Sequence, residues 1–116
     1  MKTDTGENIE IKWKTGVKGR MNVRQASGVP YLTYPVFEQI PGIIHGFSTR
    51  LGGVSRGDCM SMNLSFSRGD LEENVRENYR RFAGAVGFFP EQIVCSDQTH
   101  TTNVRVVTET DRGKGI

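Results

Sequence analysis

GDLEENVRENYRRFAGAVG, residues 69–87, is the stretch on which the fold turns. Asp70 is a favourable N-cap, and Glu73 three residues on completes a capping-box pattern. Leu71, Val75, Tyr79, Phe82, Ala83 and Val86 recur at helical spacing and form one apolar stripe. Glu72 with Arg76 and Glu77 with Arg81 are favourable i,i+4 pairs on the opposite side. Gly87 is a natural stop, and Pro90 forbids continuation. The spacing predicts an amphipathic helix from Leu71 to Val86 whose stripe packs on a core.

Outward from that helix the chain reads as short extended pieces. Val29 to Ile40 mixes apolar residues with Pro30 and Pro35, so extended backbone is expected rather than helix. Pro41-Gly42 reads as a turn, and Ile43 to Ser48 as a buried strand. Downstream, Ile93 to Ser96 and Asn103 to Val107 are strand candidates that flank the polar run SDQTHTT. Residues 1–28 read as a polar extension or edge hairpin, with Ile9, Ile11 and Trp13 alternating. Residues 29–116 form the second division. Strands around one long helix predict an α+β fold: a mixed sheet with packed helices, part of a larger single domain, since the last residues read as the middle of a loop.

The composition narrows the function classes. The formal charge of +2 balances 15 basic against 13 acidic residues, which leaves no electrostatic footprint for nucleic acid or a membrane surface. No run approaches the roughly 18 apolar residues of a membrane helix. The N-terminus lacks the apolar core of a secretory signal, and Cys59 and Cys95 read as reduced thiols. A cytoplasmic location is expected.

Two segments can carry chemistry. Arg50 to Asn63 holds Gly52, Gly53 and Gly57 without a helical period, and fourteen structureless residues in a small domain are unusual unless functional. Ser48, Thr49, Arg50, Ser55 and Arg56 offer hydroxyls and guanidinium charge that suit a phosphate or a sugar; a solvated glycine-rich turn is the bland alternative. His100 lies in a polar knot between the two downstream strand candidates and is a candidate metal ligand or catalyst. No H-x-x-x-H or C-x-x-C accompanies it. His45, within apolar sequence, reads as structural.

HGFSTRLGGVS at 45–55, SMNLSFSRGD at 61–70, ENVRENYRR at 73–81 and DQTH at 97–100 together resemble the YfiH-type family. Its members are also called laccase-domain or multicopper polyphenol oxidase-like proteins, and are described as purine nucleoside phosphorylases. Four motifs in order and at fitting spacings carry the resemblance. It implies one α+β domain longer than this chain, with zinc held by the His of Q-x-H, a Cys in A-D-C and a His in H-[AS]-G-W-R-G. His100 matches the first and is the implied metal and catalytic residue. Cys59 and Cys95 do not match the second. The chain therefore resembles the N-terminal part of a member, supplies one ligand of three, and is expected to be inactive alone. Arg50 and Asn63 match substrate-facing positions. Where the family commonly has Arg after the helix Asn, this chain has Tyr79, which the apolar stripe assigns to packing.

The implied activity is metal-dependent phosphorolysis of a purine nucleoside by phosphate, with adenosine deamination as an accompanying activity of the family. Arg50 would hold phosphate and Asn63 the ribose or base. Two alternatives stand beside it. One is copper-dependent oxidation of phenols, with copper in place of zinc. The other is a non-catalytic fragment, or a folding or binding half that needs a partner segment. Independently of the activity, self-association through an exposed sheet is expected.

Overall fold

The computed structural model describes residues 20–116. The alternating run Ile9, Ile11, Trp13 lies outside them. Strand β1 (Asn22–Ala26) and strand β2 (Val29–Thr33) form an antiparallel hairpin, with Ala26 opposite Val29. The two-residue link, Ser27 and Gly28, has φ of 49° and 77°. Positive φ at both positions matches the twist of the flanking strands, and glycine adopts it without strain. The hairpin thus runs across residue 28.

A four-residue helix, α1 (Pro35–Glu38), follows with proline in its first turn, where the missing N–H costs nothing. This corrects the extended reading of residues 34–40, while β2 upholds it for Val29–Thr33. Glu38 ties α1 back to the hairpin. Its carboxylate accepts from Arg24, Asn22 and the Thr33 hydroxyl, and these contacts lower its pKa, Thr33 first.

Strand β3 is only Phe47–Ser48, paired antiparallel with Leu32 and Tyr31. The expected buried strand from Ile43 is therefore corrected: Ile43 and Ile44 are exposed. The cause is local. Tyr34 N–H donates to His45 Nε2 at 2.7 Å, so the next backbone donor of β2 is taken by a side chain and the ladder stops. Tyr34 and Phe37 stack on and edge against the same imidazole. His45 is structural, as its apolar setting suggests. The α+β class holds, and the expected mixed sheet gives way among the described residues to an antiparallel one in the order β1-β2-β3.

Helix α2 (Glu72–Val86) packs across β1 and β2. Val75 and Ala83 are fully buried beside Val29 and Met62, and these four residues form the apolar core. Glu72–Arg76 and Glu77–Arg81 pair as the spacing predicts. Gly87, at φ 111°, closes the helix with its N–H on Ala83 O. Two expectations need correction. Leu71, not Asp70, occupies the N-cap position with no side-chain cap, because the Asp70 carboxylate is drawn into the preceding loop. The stripe also includes Asn78, which is fully buried, whereas Leu71 is exposed.

Ile93–Ser96 and Asn103–Val107 are not strands. Cys95 N–H bonds to Lys114 O, and Gly113 N–H bonds to Ile93 O, so the first pairs with a turn rather than a ladder. The second finds no neighbouring strand among the described residues, and Val104 and Val106 are 93% and 86% exposed. The 3-10 turn Glu109–Asp111 anchors this arm through a capping box between Thr108 and Asp111. Among the described residues no helix is long and apolar enough to cross a membrane.

Candidate functional site

The glycine-rich segment is a folded loop. Its hub is the Arg50 carbonyl, which accepts from Ser61 N, Met62 N and Ser61 Oγ at 2.8, 3.0 and 2.9 Å. Gly53 N–H donates to Ser61 Oγ, and Ser55 N–H to Ser61 O, closing residues 50–62 on themselves. A short 3-10 turn, Gly57–Cys59, forms the tip.

Asn63 continues the same construction. Its Oδ1 accepts from Ser65 N, and its Nδ2 donates to Ser65 O and to Asp70 Oδ2, at 3.0, 3.0 and 3.1 Å. Both amide hydrogens are therefore engaged within the loop, and Oδ1 keeps one lone pair. Asp70 also accepts from the buried Ser55 hydroxyl and from Leu71 N–H. Ser55 first and Asn63 second hold its carboxyl below the usual carboxylate range, against the opposing effect of desolvation. The carboxylate read from sequence as a helix cap is thus the clasp of the loop.

The loop opens on a cleft of about 270 Å³ lined by Arg50, Asp58, Cys59, Met60, Met62, Asn63 and Arg68. Arg50 and Asn63, both singled out by sequence, are brought together here. Arg68 was not singled out, although it lies five residues after Asn63 in the same motif. Several other arginines are ion-paired, Arg24 with Glu38, Arg76 with Glu72, Arg80 and Arg81 with Glu77, and Arg105 with Asp111, whereas Arg56 in the same loop is not among the described residues. Among the described residues no carboxylate pairs with Arg50 or Arg68. Two free guanidiniums on one concave wall are a strong attraction for an oxyanion, since each can present a planar fork of donors.

His100 lies elsewhere. It is exposed, at φ 56°, and lines a separate depression of about 740 Å³ with Ser96, Asp97, Gln98, Thr99 and Asn103 among others. The two depressions share no lining residue. Among the described residues no group of three or more His, Cys, Asp or Glu side chains could hold a metal ion. A zinc centre needs three or four such donors, so the described residues do not by themselves fit one; His100 offers a single imidazole.

Tyr79 lies between the two regions. Its hydroxyl donates to Leu64 O at 2.7 Å and lies 3.8 Å from Cys95 Sγ, while its ring stacks on Phe66. Burial first, then Cys95, pushes the phenol up to about 12. The packing role assigned from the stripe agrees with this position.

Residues 44–115 match the family described as multi-copper polyphenol oxidoreductase laccase, and the chain belongs to that family. It is 38% identical over 74 residues to the purine nucleoside phosphorylase YlmD of Geobacillus stearothermophilus, covering 64% of this chain and 27% of that protein. The purine nucleoside phosphorylase YfiH of Escherichia coli is 36% identical over 77 residues, covering 66% and 31%. The crystal structure of YlmD from Geobacillus stearothermophilus superposes with a TM-score of 0.67 at 33% identity, covering 78% of this chain and 33% of that one. The chain spans about a quarter to a third of the length of these relatives.

Proposed function

We propose that this chain carries the phosphate-binding part of a purine nucleoside phosphorylase. The observation that supports the reading is the cleft with Arg50 and Arg68 on its wall and no carboxylate paired to either among the described residues. The naming of the relatives adds to it. In phosphorolysis a phosphate oxygen bonds to C1′ of the ribose as the C1′–N9 bond breaks, and the purine leaves with its electron pair and takes up a proton. Positive charge develops on the sugar, so the anionic nucleophile must be held close and in line. Arg50 and Arg68 suit that task, and Asn63 has one lone pair of Oδ1 left for a ribose hydroxyl. Oxidation of phenols has no use for a paired cationic wall, and the cleft favours phosphorolysis over it. His100 is proposed as one ligand of a zinc centre, with copper the alternative.

Calorimetric titration with inorganic phosphate tests the reading. The protein is expected to bind phosphate, more weakly as salt is raised, with affinity reduced about tenfold or more by Arg50→Ala and again by Arg68→Ala. Inosine is expected to bind more tightly when phosphate is present. Phosphate binding that survives the double substitution, or no binding by the unaltered protein, overturns it.

A further inference from the structure

Asn78 lies in the interior of α2 with its side chain fully buried. A primary amide in that position is costly unless each polar atom finds a partner. Here all three bonds leave the helix for the loop. Oδ1 accepts from Val54 N at 2.8 Å, and Nδ2 donates to Ser55 Oγ at 2.9 Å and to Asn63 O at 2.8 Å. One side chain therefore grips the loop on both sides of its tip, at residues 54–55 and at residue 63.

The fit is close from the loop side as well. A Cβ at Gly53 would lie 2.6 Å from Asn78 Oδ1 and would overlap the Ser61 carbonyl. Only glycine lets the loop backbone come so near the amide. A leucine at position 78 would fill similar space and bury apolar surface, so helix packing alone does not account for an amide there. What the amide supplies is a fixed separation between the segment that begins at Arg50 and the segment that ends at Asn63, and these carry two of the cleft's polar walls.

We infer that Asn78 is the positioning residue of the arginine cleft: it touches no ligand, and it sets the loop geometry that lets Arg50 and Arg68 converge on one oxyanion. The inference rests on the proposed reading of that cleft as a phosphate site.

The test compares Asn78→Leu with Val75→Ala, a substitution in the core face of the same helix that removes no hydrogen bond to the loop. Two quantities are read: the Kd for inorganic phosphate, and the hydrogen-exchange protection of the Val54 amide by NMR. Asn78→Leu should weaken phosphate binding about tenfold or more and strip protection from Val54. Val75→Ala should lower the melting temperature and leave both readings unchanged. Adding Arg50→Ala to Asn78→Leu should cost less than Arg50→Ala costs alone, since the two act on one interaction. Gly53→Ala, which leaves the helix intact, should reproduce both losses and serves if Asn78→Leu does not fold. Unaltered phosphate affinity in folded Asn78→Leu or Gly53→Ala overturns the inference, as does a Val54 amide that stays protected. If Val54 loses protection but the unaltered protein binds no phosphate, the loop-holding role stands and the phosphate reading falls.

Discussion

Tyr79→Phe isolates the bond that joins α2 to the chain just beyond Asn63. The hydroxyl donates to Leu64 O at 2.7 Å, and the ring stacks on Phe66 at 5.9 Å. Phenylalanine keeps the stack and loses the bond, leaving the Leu64 carbonyl short of a partner. That costs about 1 kcal/mol at pH 8. The phenol adds a pH signature. Burial first, and then Cys95 beside it, pushes its pKa up to about 12, whereas in the unfolded chain it ionises near ~10. Between those values the unfolded state has released a proton that the folded state keeps. It binds fewer protons, so stability falls as pH rises through that window. A tenfold change in proton affinity corresponds to about 1.4 kcal/mol, and solvent at this half-buried ring reduces the effect by roughly half. The advantage of tyrosine over phenylalanine should therefore shrink to about half by pH 11 and close near pH 12. Urea denaturation of both proteins at pH 8, 10 and 11 measures the gap, and other titrating groups largely cancel in the difference. A gap that stays constant from pH 8 to 11, or is absent at pH 8, refutes the reasoning.

Three further outcomes are expected. Because the described residues offer His100 without a cluster of further ligands, dialysis against a mild chelator should leave well under one zinc per chain; stoichiometric zinc would contradict this. Val104 and Val106 stand exposed on a segment without a strand partner among the described residues, so the protein should associate as its concentration rises, and Val104→Lys with Val106→Lys should shift it to monomer by light scattering. A clean monomer before substitution would count against that. Asp70, held low by Ser55 and Asn63, contributes stability that is present above its unfolded pKa and lost as pH falls through the folded one. Asp70→Asn should flatten the acid limb of a melting-temperature profile, and an unchanged limb would argue against the clasp.

Much of the fold was legible because it follows from local periodicity. The helix, its stop at Gly87 and the two i,i+4 ion pairs depend on residues within a few turns of each other, and the sequence displays them directly. The downstream strand candidates failed for the opposite reason. Asn103–Val107 has β-branched residues in plenty, but a strand exists only where a neighbour supplies the ladder, and none does so among the described residues. The hairpin β1–β2 carried a readable signal in Ser27–Gly28, a dipeptide suited to a two-residue turn. A division placed at residue 28 put the two strands on opposite sides of it.

At the site, sequence and structure part over polarity. A helical wheel assumes that the face turned inward meets apolar neighbours, and on that assumption Asn78 goes unremarked. The inward face of α2 in fact meets two kinds of partner. Val75 and Ala83 contribute to the apolar core, while Asn78 meets the backbone of a loop whose N–H and C=O groups also have to be satisfied. A glycine-rich loop folded inward carries those groups with it, so it requires a polar anchor on whatever element covers it. Gly53 and Asn78 are two halves of one requirement, twenty-five positions apart in sequence and in contact in space. An inward-facing amide on a helix next to such a loop is therefore a signal that the loop is held in one shape. For a cleft in which Arg50 and Arg68 have no carboxylate partner among the described residues, one shape is what the proposed recognition of a small anion demands.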